Sequence, residues 1–86
     1  MAEYRKAKAN VSLTVGDSVR VVRELKELSQ NQLAELSGIP QSTISSIERN
    51  RVKLGVERAK VLARALHVHP AVLVFPGWDV DQESAA

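Results

Sequence analysis

With 86 residues the chain is long enough for one domain with a small core and too short for a roomy catalytic cleft, which argues against an enzyme. An apolar fraction of 44% predicts a folded unit. Only 3% aromatic residues argue against stacking platforms for single strands, and the lack of cysteine excludes disulfides and thiolate zinc sites. The formal net charge of +2 is uneven: residues 1–78 hold all 12 Lys and Arg with seven of the ten acids, a net +5, while Asp79, Asp81 and Glu83 fall in the tail.

In chain order, residues 1–14 read as a basic N-terminal arm that ends in the β-favouring stretch Val11-Ser12-Leu13-Thr14. A helix follows, with Thr14 or Asp17 as its cap. Val15, Val19 and Val22, with Leu28, supply its core stripe, and Arg20, Glu24 and Glu27 face water. Val21 and Leu25 are left on another face, open to Val11 and Leu13 or to a second subunit.

Ser29 followed three residues later by Gln32 is a capping box, so a second helix starts at Gln30 and buries Leu33-Ala34. Gly38 is suited to end it in a left-handed conformation, Ile39 turns back to the core, and Pro40 prevents continuation. A third helix then begins near Gln41. Ile44 and Ile47 face inward, leaving Gln41, Ser42, Thr43, Ser45 and Ser46 on the remaining surface, where an ordinary solvated helix would carry Glu and Lys. Two short helices joined by a Gly-containing turn, the second presenting small polar side chains, suit a helix held against base-pair edges.

Beyond Asn50 the chain is rich in Arg and Lys. Arg51 and Lys53 lie on the loop after the third helix, and Arg58, Lys60 and Arg64 fit a solvated helix face as well as a phosphate-binding one. A fourth helix is predicted over Val56 to Leu66, with Gly55 near its N-cap, an inner side of Ala59, Leu62, Ala63 and Leu66, and His67 at its terminus. Pro70 opens a short fifth helix from Ala71 to Val74, before Phe75-Pro76-Gly77 ends the fold. Residues 79–86 read as a disordered acidic tail. His67 and His69 lack a third ligand, so capping explains them better than metal. Ser42, Ser45 and Ser46 have no neighbouring His to make a nucleophile. Neither cofactor nor metal is required. No apolar run approaches about 18 residues and no signal-peptide pattern opens the chain, so a cytoplasmic protein without membrane contact is expected.

Gln30, Leu33-Ala34, Gly38, Ile44, Ile47 and Glu48 fall on the signature of the Cro/cI-like (Xre) helix-turn-helix family, which the chain resembles from about Val15 to Phe75. The resemblance implies an all-α, five-helix, lambda-repressor-like DNA-binding domain over residues 15–78, with its helix-turn-helix at 29–50. It makes Gln41 and Ser42, with Thr43, Ser45 and Ser46, the residues that reach base edges; Gln41 has the chemistry to pair bidentately with adenine. Gln30, Arg49, Arg51 and Lys53 become phosphate contacts, and Arg23 with Glu48 a positioning ion pair. Three residues depart from the family pattern: Glu27 where a Gly often ends the first helix, Pro40 in place of a Ser or Thr cap, and Asn50 in place of Gly.

Val72, Leu73, Phe75 and Trp78 exceed what so small a core needs: either Leu73 and Phe75 simply close the bundle, or the four form an isologous dimer face, as is common in the family through this helix. Paired half-sites about 34 Å apart multiply affinity. The expectation is therefore a homodimeric repressor on a palindromic double-stranded operator. The finer readings are a restriction-modification controller or an antitoxin bound to a small toxin protein, and the rival is a protein-interaction module that keeps the fold without specific DNA binding.

Overall fold

A computed structural model describes residues 13–75, and all of its regular structure is helical: α1 Val15–Leu25, α2 Gln30–Ser37, α3 Gln41–Glu48, α4 Val56–Leu66 and α5 Pro70–Val74. There is no strand among the described residues, so Leu13 and Thr14 lead directly into α1, and Val11 and Ser12 lie outside them. No described helix is long and apolar enough to cross a membrane.

Local chemistry sets each boundary. Of the two candidates, Thr14 caps α1: its hydroxyl accepts from the Asp17 backbone N–H at 3.0 Å, and the Asp17 carboxylate accepts from the Thr14 N–H at 3.1 Å. Ser29 and Gln32 repeat this reciprocal pattern at α2, at 3.0 and 2.8 Å. Pro40 precedes α3 without a side-chain cap, as its ring dictates. His69 caps α5, Nδ1 accepting from the Ala71 N–H at 3.0 Å, with Pro70 in the first turn where its missing N–H costs nothing.

Glycine ends only α2, where Gly38 at φ 78° donates to the Ala34 carbonyl. The other three turns close on left-handed residues that carry a Cβ: Glu27 at φ 59°, Asn50 at 61° and His67 at 59°. Each closes its helix with a paired bond, exemplified by Asn50 N–H to Ile47 O at 3.0 Å and Arg51 N–H to Ser46 O at 2.8 Å.

The helices enclose one core. α1 packs on α3 and α5, α2 on α3 and α4, and α4 on α5. Val19, Leu33, Ile44, Ile47, Leu62, Leu66 and Leu73 are fully buried. Each stabilises the fold by about 1.5–3 kcal/mol of apolar transfer. Leu73 therefore drops out of the set of surface residues expected to join two subunits: it fills the core, whereas Val72 and Phe75 are exposed. Trp78, the arm before Leu13 and the acidic tail lie outside the described residues. Ser18 is buried too, its hydroxyl donating to the Val72 carbonyl at 2.7 Å and tying α1 to α5.

Candidate nucleic-acid interface

α3 is held by its apolar face and its last carboxylate. Ile44 and Ile47 are sealed in the core, and the next inward residue, Glu48, is charged and buried with them. A buried carboxylate requires full pairing. Arg23 on α1 supplies most of it: Nε donates to Glu48 Oε2 at 2.7 Å and Nη2 to Oε1 at 3.0 Å, while Nη1 donates to the Leu28 carbonyl at 2.8 Å. Both side chains are nearly dry, 11% and 3% exposed. Hydrogen bonds to Glu48 raise Arg23 above its ordinary pKa, fixing its charge. No buried side-chain nitrogen or oxygen among the described residues lacks a partner.

The pairing continues outward. Gln30, first residue of α2, donates through Nε2 to Glu48 Oε1 at 2.9 Å. An ionised carboxylate only accepts, so this bond orients the Gln30 amide and turns its oxygen away from Glu48. That oxygen accepts from Nε2 of Gln41 at 2.6 Å. A chain of hydrogen bonds thus runs from buried Arg23 through Glu48 and Gln30 to the exposed first residue of α3. It fixes the polarity of the Gln41 amide, with its carbonyl oxygen and second N–H free of this chain.

Ser42 is exposed beside Gln41, while Thr43, Ser45 and Ser46 are half-buried along α3. Arg49 follows at the helix end, and Arg51 and Lys53 are exposed on the loop beyond it. Residues 41–53 thus place the polar helix surface and three cations in continuous succession. Val72, 45% exposed, lies on α5, which packs on α1 and α4, and Phe75, 57% exposed, follows at its end.

The family resemblance points to Gln30 only as a phosphate contact; its bonds to both Glu48 and Gln41 join residues 18 and 11 positions apart, beyond the reach of a local sequence pattern. Two further residues, Asn50 and Gly16, join α1 to the end of α3. The Asn50 side chain accepts from the Gly16 backbone N–H at 3.1 Å and donates to Thr14 Oγ1 at 2.8 Å. Gly16 itself is pressed against the end of α3, and a Cβ there would strike the carbonyl oxygens of Ile47 and Glu48. The glycine in Val-Gly-Asp at the head of a helix, where glycine is a poor helix former, was the available signal.

A helix-turn-helix (HTH_3) family model matches residues 19–73. The control protein C.SmaI of Serratia marcescens is 35% identical over 69 residues, covering 79% of this chain and 82% of that protein. The immunity repressor protein of Bacillus phage phi105 is 29% identical over 73 residues, 85% of this chain but 51% of the repressor. Among solved structures, the restriction-modification controller protein C.AhdI from Aeromonas hydrophila superposes with a TM-score of 0.67 at 36% identity, covering 69% of this chain and 89% of that one.

Proposed function

This chain belongs to the helix-turn-helix family, and we propose that it is a sequence-specific, double-stranded-DNA-binding regulator of transcription that works as a homodimer on a palindromic operator. The DNA-binding unit is residues 15–78. α3 enters the major groove with Gln41 leading, and Ser42, Thr43, Ser45 and Ser46 meet neighbouring base edges. Gln30, Arg49, Arg51 and Lys53 set the register on phosphates.

The observation that carries this reading is the bonded chain Glu48–Gln30–Gln41. An exposed glutamine gains little from being held. One whose amide is oriented before binding loses less side-chain entropy when it pairs with a base. With Nε2 already donating one hydrogen to Gln30, Gln41 retains one donor and one acceptor, the two functions that adenine N7 and N6 require.

The dimer is supported by the exposed Val72 on α5 and Phe75 at its end, and it gives the protein two copies of a recognition helix only eight residues long. Of the finer readings, a restriction-modification controller is favoured over an antitoxin by the two controller proteins among the relatives.

Selection of bound duplexes from a random pool, followed by titration of the selected site at two salt concentrations, tests the assignment. The expected result is an enriched palindrome, with the salt dependence of Arg51→Ala shallower by about one counterion per subunit. Failure to enrich any sequence overturns it in favour of an interaction module without specific DNA binding.

A further inference from the structure

Asn50 stands at the joint between the recognition helix and the cationic loop. It is the left-handed residue that closes α3, with Arg49 before it and Arg51 after it. A left-handed turn alone is served best by glycine, which has no Cβ to strain. Asn50 instead uses its side chain. Its oxygen accepts from the Gly16 N–H in the first turn of α1, and its nitrogen donates to the hydroxyl of Thr14, the α1 cap. The first turn of α1 meets the last turn of α3 at close range, because Gly16 leaves no room for a side chain between them. Free N–H groups at a helix start carry partial positive charge and terminal carbonyls partial negative charge, so this junction is electrostatically favourable as well as tight.

We infer that Asn50 is a positioning residue for DNA recognition: its side chain clamps the end of the recognition helix, and with it the Arg51–Lys53 loop, onto the start of α1. The inference rests on the DNA-binding reading above. α3 has no side-chain cap at Pro40, so its outer orientation depends on the Gln30–Gln41 bond at one end and the Asn50 clamp at the other. Without the clamp, α3 keeps its buried isoleucines and Glu48, but its base-reading surface and its phosphate-binding loop are no longer fixed relative to each other. Binding that needs both at once suffers, while binding to any phosphate backbone does not.

Asn50→Gly is the informative variant, since glycine adopts φ 61° without strain and removes only the clamp. The intact protein, Asn50→Gly and Thr14→Ser are compared by affinity for the selected site and for a random-sequence duplex, at a temperature where circular dichroism shows all three folded. Loss of two partly exposed hydrogen bonds predicts roughly a 3- to 10-fold loss of specific affinity in Asn50→Gly, with random-duplex affinity unchanged within about twofold. Thr14→Ser, which keeps the hydroxyl, retains intact discrimination. Amide exchange at Gly16, measured without DNA, becomes faster in Asn50→Gly. Equal losses on both duplexes, or an unchanged ratio, overturn the positioning role while leaving the DNA-binding reading in place. No preference for any sequence in the unsubstituted protein overturns that reading and this inference with it.

Discussion

Replacing Glu48 by Leu leaves the Arg23 guanidinium in the protein interior with a carbonyl as its remaining described partner, Leu28 O at 2.8 Å. The magnitude follows from burial. Arg23 and Glu48 are 11% and 3% exposed and meet through two short bonds, so neither charge is screened by water once the other is gone. Breaking such a pair from one side costs about 3–5 kcal/mol, a large share of the roughly 5–15 kcal/mol that holds a domain together. Arg23→Met should cost a similar amount, because Glu48 keeps only its bond from Gln30 among side-chain partners. The double variant Arg23→Met with Glu48→Leu buries apolar groups in place of both charges and should recover much of the loss. The assay is urea unfolding followed by circular dichroism, with the four proteins treated as a double-mutant cycle. A coupling of about 2 kcal/mol or more is expected. Single losses under about 1 kcal/mol with no coupling are typical of exposed ion pairs, and would refute the view that this pair anchors α3.

Other consequences are testable on the same material. Glu27→Gly and His67→Gly relieve left-handed strain of about 1–2 kcal/mol and add about 0.5–1 kcal/mol of unfolded-state entropy, so each should raise stability by about 0.5–1 kcal/mol in urea titrations. The Thr14 backbone N–H, its hydroxyl and then Arg20 hold the Asp17 carboxyl below the usual carboxylate range. A depressed folded-state pKa means that the unfolded chain binds the proton first. The stabilisation is therefore complete above the ordinary carboxylate value and lost as pH falls through the lowered one. The urea midpoint of the unsubstituted protein should accordingly drop more between about pH 5 and pH 2.5 than that of Asp17→Asn. Val72→Asp puts a charge on the exposed face of α5 and should convert a dimer to a monomer in sedimentation, with operator affinity lost in parallel; an unchanged sedimentation profile removes Val72 from the interface.

The sequence disclosed most where the controlling interaction is local. The Ser29–Gln32 box, Gly38, Pro70 and the Ile44–Ile47 pair each act within about one helical turn, and α2, α5 and the start of α3 stand where these signals put them. Leu73 shows the limit: α5 is five residues long, too short for a periodic pattern to separate the buried Leu73 from the exposed Val72 beside it. The candidate interface was legible as a list of residue types, and the resemblance to a known family supplied their order. Its mechanics were not legible. The relay through Gln30 and the clamp through Asn50 join residues as many as 36 positions apart, and only the packing of α1 on α3 brings Thr14 and Gly16 to Asn50. In the sequence Asn50 stands out only as a residue in place of Gly; the role of its amide depends on the helix start that it reaches.

In the proposed complex α3 reads base edges through an oriented Gln41, and the affinity of the unsubstituted protein and of Gln41→Ala for every single-base variant of the selected operator half-site tests this. Gln41→Ala should lose discrimination of about 1–3 kcal/mol at one position and keep it at the others. A uniform weakening across all variants, with every preference intact, would contradict it and reduce Gln41 to a contact with the DNA backbone.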